Sequence, residues 1–182
     1  LIGKSTDTYD KTGTVLNDTS VDYLDNDQVD ECLKNFLGKI KQMPPIYSAI
    51  KKDGKKLYEY ARNNEIIEIE PRNIEIFELE RISDVEKVDQ YYKFKIRTHV
   101  SKGTYIRSLG WDIALKLNTL ATMTSLVRTK LGAWDIEDCI DIKDSTNELI
   151  KSKLLPIDSV FDNLNTLDDV DIINRLLNGQ TV

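Results

Sequence analysis

Residues 101–107, Ser-Lys-Gly-Thr-Tyr-Ile-Arg, hold the most concentrated chemistry in the chain. They follow an alternating stretch that predicts a strand and precede apolar residues spaced for a helix. A glycine at such a junction permits a tight turn. A helix start presents free N–H groups and positive potential to an anion. Tyr105 and Arg107 are expected in that first turn, an aromatic face beside a guanidinium. An arginine there can grip a carboxylate in two-pronged geometry and keep it ionised. A helix cap carrying a surface salt bridge fits the same residues equally well on physical grounds.

The elements that must position this segment are legible on both sides of it. Tyr92, Phe94, Ile96, Thr98 and Val100 alternate with Lys93, Lys95, Arg97 and His99, which predicts one half-buried strand with a basic face. Ile106, Leu109, Ile113 and Leu117 share one side of a helix opening at Gly103-Thr104. Upstream, Val29, Cys32, Leu33 and Phe36 predict an amphipathic helix over 27–37 that stops at Gly38. Pro44-Pro45 forces an extended segment, Asp53-Gly54 marks a turn, and a short helix is predicted over 56–62. Ile74, Ile76 and Leu79 predict another strand. Residues 1–20, rich in Thr, Asp and Gly, read as loop and turn with room for an edge strand. Downstream, 124–134 reads as a strand ending near Trp134. Ser145 and Glu148 stand at capping-box spacing, and Val170, Ile173, Leu176 and Leu177 predict a last helix ending at Gly179. No repeat or linker is visible. The expectation is one α+β domain with a mixed, largely antiparallel sheet flanked by helices.

Charge is unevenly spread. The 182 residues carry a net charge of −6, which by itself argues against a nucleic-acid partner. Yet residues 39–62 carry Lys39, Lys41, Lys51, Lys52, Lys55, Lys56 and Arg62 against only Asp53 and Glu59. Residues 93–107 carry five bases and no acid. A polyanion responds to the local patch within a Debye length of about 8–10 Å; a solvated charged face gives the same pattern. No apolar run approaches the roughly 18 residues of a membrane span, and no signal peptide is visible. Cys32 and Cys139 form no Cys-x-x-Cys pair and His99 is the single histidine, so no metal is expected. Reduced cysteines fit a cytoplasmic protein.

Three short motifs mislead. Gly3-Lys4-Ser5-Thr6 resembles the tail of a phosphate-binding loop, but 6–13 lacks the apolar residues of the helix such a loop must open into. Ser48-Ala49-Ile50-Lys51 and Lys11-Thr12-Gly13 match pieces of penicillin-binding serine enzymes in the wrong order. His99 could act as a general base, but its strand position is that of a half-exposed residue beside Arg97.

Residues 101–109 resemble the Ser-Lys-Gly-Thr-Tyr-Ile-Arg motif of TruB-type tRNA pseudouridine synthases. Three further stretches resemble the family in the same order: Gly3 to Thr8 with Asp10 and Gly13; residues 42–51 with 54–62 (Tyr47-Ser48-Ala49 and Leu57-Tyr58-Glu59-Tyr60-Ala61-Arg62); and Leu126-Val127-Arg128-Thr129 with Gly132. The resemblance implies a pseudouridine-synthase-like catalytic domain that isomerises a T-loop uridine of tRNA without metal or cofactor. Tyr105 would line the base pocket, with Lys102 and Leu126 also against the substrate. Arg107 would pair with the catalytic aspartate. Residues 39–68 would clasp the T-stem-loop, with Lys51, Lys52, Lys55, Lys56 and Arg62 meeting phosphates. The family's aspartate lies in a Gly-x-Leu-Asp-x-x-Ala-x-Gly motif that 1–182 does not contain. With Leu1 in first place, the chain therefore reads as part of a catalytic domain, inactive by itself and lacking or truncating a C-terminal RNA-binding domain. A monomer is expected. A non-catalytic RNA-binding or tRNA-folding module is the alternative.

Overall fold

The computed structural model describes residues 1–156, 159 and 167–180. These fall into two compact units, Leu1–Leu126 and Val127–Val182, although the sequence shows no linker between them.

The first unit is built on three antiparallel strands in the order β3 (Gly38–Gln42), β6 (Arg72–Arg81), β9 (Ile96–Val100). Before them come the hairpin β1 (Lys4–Thr6) and β2 (Val15–Asp18) and the helix α1 (Asn26–Lys34). Between β3 and β6 lie the hairpin β4 (Lys51–Lys52) and β5 (Lys55–Lys56) and the helix α2 (Leu57–Arg62). Between β6 and β9 lies the hairpin β7 (Glu86–Val88) and β8 (Tyr91–Lys93). Helix α3 (Ile106–Lys116) closes the unit.

Period-two burial turns Ile74 and Ile76 of β6 inward and leaves Lys39, Lys41, Arg97 and His99 of the flanking strands exposed. Against the inner face pack Val29, Cys32 and Leu33 of α1 and Leu109, Ile113 and Ala114 of α3, all buried. Arg81 ties β6 to α1 by a two-pronged grip on Asp30, at 2.9 and 2.8 Å.

The elements differ from expectation in four places. Helix α1 ends at Lys34, not near 37, because Asn35 turns its side chain back onto the carbonyls of Glu31 and Cys32. Its start is a capping box: Asp25 accepts from the Gln28 N–H and Gln28 accepts from the Asp25 N–H. The strand expected over 92–100 breaks in two. Lys95 is held by the 81–83 segment, its carbonyl accepting from Ile82 N and its N–H donating to Ser83 Oγ, so β8 pairs with β7 and only β9 joins β6. The inward-outward alternation survives the break.

The strand expected over 124–134 is instead an irregular stretch and a short hairpin, β10 (Lys130–Leu131) with β11 (Trp134–Asp135). Leu126 and Val127 are 59% and 67% exposed, so no neighbour among the described residues covers this apolar pair. In the second unit Thr146, not Ser145, caps α4 (Asn147–Ser152), accepting from Leu149 N at 3.1 Å. Ser145 Oγ donates instead to the Ile142 carbonyl. Helix α5 (Val170–Leu177) ends as expected at Gly179, which donates to the Leu176 carbonyl while Gln180 donates to that of Arg175.

Two leucines on α3 separate burial from helix formation. Leu109 is fully buried and Leu115 is 51% exposed. Leu109→Ala should destabilise the fold by about 2–5 kcal/mol through lost transfer energy and a cavity, whereas Leu115→Ala should stay within about 0.5 kcal/mol. Urea unfolding of both variants measures the contrast; similar midpoints would show that the core does not sit under this face of α3.

Candidate active site

The entrance to α3 has no local side-chain cap. Its cap comes from 63 residues upstream. Gln42, buried at the end of β3, accepts the Tyr105 N–H at 2.8 Å through Oε1 and donates to the Tyr105 carbonyl at 3.1 Å through Nε2. Tyr105 therefore stands at the N-cap, one position before the helix rather than in its first turn, with extended backbone angles; α3 opens at Ile106, not at Gly103-Thr104. The turn before it is closed by Thr104 N–H on the Ser101 carbonyl, with Gly103 at φ +88°. Ser101 is fixed to β6 by its N–H on the Glu75 carbonyl and its Oγ accepting from Glu75 N, each at 2.8 Å.

Arg107 makes no ion pair with a carboxylate among the described residues. Its Nη1 donates to the Thr8 carbonyl at 3.0 Å and its Nη2 to the Tyr47 carbonyl at 2.8 Å. The guanidinium thus joins α3 to the loop after β1 and to the proline-led segment after β3. A guanidinium has five N–H donors, so these two bonds leave capacity for another acceptor.

The loop at 7–13 is itself tightly specified. Thr6 Oγ1 donates to the Asp10 carbonyl, Asp7 Oδ1 accepts from Thr14 N, and Asp10 Oδ1 accepts from the backbone and hydroxyl of Thr12. Tyr9, at φ +59°, stacks on Trp111 of α3 with ring centres 4.8 Å apart and 11° between planes. Burial, then the charge and hydrogen bond of Asp7, push the Tyr47 hydroxyl above its ordinary pKa. The hydroxyls of Ser48 and Ser108, next in sequence to Tyr47 and Arg107, are buried without a hydrogen-bond partner among the described residues.

The structure thus brings Tyr105 and Arg107 together with Gln42, which sequence reasoning placed only in the clasp, and with the 7–13 loop, which it marked only as part of a family-like stretch. Lys102 is exposed in the 101–104 turn. Leu126 is exposed in the irregular stretch, with no hydrogen bond or ion pair to these residues. The clasp residues form a separate basic feature. Asp53 (φ +53°) and Gly54 (φ +80°) turn β4 into β5, setting Lys51 opposite Lys56 and Lys52 opposite Lys55. Lys56 and Arg62 both lie over the Tyr58 ring, at 5.5 and 5.1 Å.

Residues 1–106 match the family described as TruB family pseudouridylate synthase, N-terminal domain. This chain belongs to that family. The match runs from Leu1 to the first residue of α3, so the TruB region contains both backbone carbonyls held by Arg107. Curated relatives include a tRNA pseudouridine synthase B from Staphylococcus aureus, 40% identical over 98% of this chain and 61% of its own length. Another, from Staphylococcus saprophyticus, is 37% identical over the same shares. The chain spans about 61% of the length of these relatives. Among the described residues, no group of His, Cys, Asp and Glu is arranged to hold a metal ion, and no helix is long and apolar enough to cross a membrane.

Sequence reasoning also passed over Asp112. This half-buried carboxyl on α3 is pushed up to about 6 by burial, and its charge, after burial, helps raise the Tyr9 hydroxyl. No motif marks it; only its place beside Trp111 and the inward side of α3 could have hinted at burial. A carboxyl whose folded pKa lies above its unfolded value binds protons more readily when folded, so stability falls as pH rises from about 3.8 through about 6. Asp112→Asn should therefore raise the melting temperature at pH 7.5, with the gain vanishing below about pH 4. Melting curves across that range check it; a gain independent of pH would locate the titration elsewhere.

Proposed function

We propose that the intact protein isomerises a T-loop uridine of tRNA to pseudouridine, with its catalytic aspartate supplied from outside residues 1–182. The observation that carries this reading is family membership together with the Tyr105–Arg107 entrance of α3, locked to the 7–13 loop. In the reaction the bond from the ribose C1′ to N1 of uracil breaks, the base turns, and C1′ bonds to C5. The proton on C5 is lost and N1 gains one, so the change is an isomerisation with no net redox. A base inside a folded loop must first leave its stack.

Tyr105, fixed at both backbone ends by Gln42, gives the extruded uracil an aromatic wall whose position does not depend on a flexible loop. Arg107 meets the aspartate with the donors not spent on Thr8 and Tyr47. Lys102 and Leu126 complete the substrate contacts, and the β4–β5 hairpin with Arg62 meets the T-stem backbone. Such phosphate contacts position RNA without reading its sequence, and A-form helices are recognised mainly by shape.

Arg107→Lys in the intact enzyme should slow the single-turnover rate by about a hundredfold, because a point charge cannot keep the planar grip and small misplacements cost that much. The tRNA dissociation constant should move far less, since most phosphate contacts lie on the hairpin. Single-turnover kinetics and filter binding on one tRNA separate the effects. Equal losses in rate and binding would rule out a role for Arg107 at the reacting groups.

Residues 1–182 alone should release no tritium from tRNA labelled at uridine C5, while the intact protein should. Turnover by the isolated chain would place the catalytic carboxylate among its own residues. Binding without turnover by the intact protein would favour the RNA-binding module instead, the reading to which the basic hairpin also lends itself.

A further inference from the structure

Two lysines of the β4–β5 hairpin, Lys52 and Lys55, are already engaged. Lys55 Nζ pairs with Glu65 Oε1 at 2.6 Å and lies 4.5 Å over the Tyr60 ring. Lys52 Nζ donates to the Glu68 carbonyl at 2.6 Å. Both partners belong to the acidic, extended segment 65–70 that leaves α2 and leads into β6.

The path of that segment is fixed by the end of α2. Asn64, at φ +53°, donates its N–H to the Ala61 carbonyl, and Glu65 donates its N–H to that of Tyr60. These two bonds are a Schellman motif, the backbone device that reverses a chain at a helix end. It returns Glu65 toward the hairpin, where Asn63 Nδ2 donates to the same Oε1 at 2.8 Å. Tyr60 braces the other side, its hydroxyl donating to the Lys52 carbonyl at 3.0 Å. The Lys55 and Asn63 contacts hold the Glu65 carboxyl below its ordinary pKa. Beneath the strap, a cavity of about 280 Å³ opens between Lys51 and Lys52 on one side and Ile69, Glu70 and Arg72 on the other. The strap therefore touches the hairpin at two lysines without filling the space between them.

We propose that Glu65 sets the affinity of the hairpin for RNA: its carboxylate occupies Lys55 in the free protein, and an RNA phosphate must displace it. This rests on the reading of the hairpin as an RNA clasp. A phosphate arriving at Lys55 exchanges one anion for another, so the gain from that contact is the difference between two similar pairings. The released carboxylate recruits a cation as the phosphate sheds one, so the exchange also flattens the salt dependence. Anions that offer Lys55 only a weak contact leave the strap closed, which favours RNA that engages the whole hairpin.

The test uses the intact protein and a tRNA transcript, with binding measured across a salt series. Glu65→Gln should tighten binding roughly two- to fivefold, the worth of an exposed ion pair. It should also steepen the slope of log K against log salt by somewhat less than about one unit. Glu68→Gln removes the same charge three residues on, from a carboxylate that makes no ion pair among the described residues; it should change affinity less and leave the slope alone. A misfolded variant could not gain affinity, so the expected result cannot come from damage. Unchanged binding by Glu65→Gln, or an equal gain from Glu68→Gln, overturns the proposal. Alanine at Lys51, Lys52, Lys55 and Lys56 together should weaken binding and flatten the slope. No change there overturns the clasp reading and the proposal with it, whereas loss there with no effect of Glu65→Gln overturns the proposal alone.

Discussion

The guanidinium of Arg107 holds the carbonyl of Thr8, 99 residues upstream, and that of Tyr47, 60 residues upstream. Backbone carbonyls in partly buried loops need partners, and neither stretch supplies one for itself at these positions. The N-terminal loop and the segment after Pro44-Pro45 are therefore both tied to the first turn of α3. That turn in turn relies on the Gln42 amide at the end of β3, which caps Tyr105 from both sides. One chain of contacts runs from sheet to amide, from amide to helix start, and from helix start to the two loops. The buried Gln42 side chain, with the two bonds between Ser101 and Glu75, thus links the sheet to the site.

Much of this was legible in the sequence, and the reason differs from element to element. The faces of α3 and of β6 follow from spacing, because burial imposes periods of 3.6 and 2.0 on any half-covered element. The last helix and its Gly179 stop were legible because the signals are local. The Gln42 clamp was not, since a cap delivered from another strand leaves no mark near the helix it caps. The break at Lys95 was hidden for a similar reason: inward-outward alternation continues through it, and only the bonds to Ile82 and Ser83 interrupt the ladder. At 124–134 the residue types misled, because an apolar stretch forms a strand only where a neighbour pairs with it and covers it. The choice of Thr146 over Ser145 lay within the one-residue ambiguity of two adjacent hydroxyl residues.

Net charge hides the local arrangement of charge for a related reason. The basic residues of 51–62 are grouped by a two-residue turn and a six-residue helix, and in the acidic segment that follows Glu65 pairs with Lys55 while Glu68 meets Lys52 through its backbone carbonyl. Counting charges along the chain registers both but misses their pairing. What an approaching polyanion meets is the fraction of that charge not already compensated at short range. Lys51, exposed and without an ion pair among the described residues, contributes more to that field than Lys55, although the two are the same residue type on the same hairpin.

Two glycines of the site show how one residue type can answer different constraints. Gly103 sits at φ +88°, and a Cβ there would meet nothing within 4 Å, so its requirement is conformational. Gly13 has no positive φ. A Cβ there would lie 2.2 Å from Thr8 Oγ1 and 2.4 Å from Asp7 Oδ1, so its requirement is space. The distinction bears on the site because those two atoms belong to residues whose neighbours it depends on. Asp7 holds the Thr14 N–H and sits beside the Tyr47 hydroxyl, and Thr8 offers its carbonyl to Arg107. A side chain at position 13 would press on the loop where Arg107 grips it, while a side chain at 103 would strain only the turn that carries Tyr105 into place. The same site can therefore be loosened from opposite ends, through the loop by crowding and through the helix start by backbone strain.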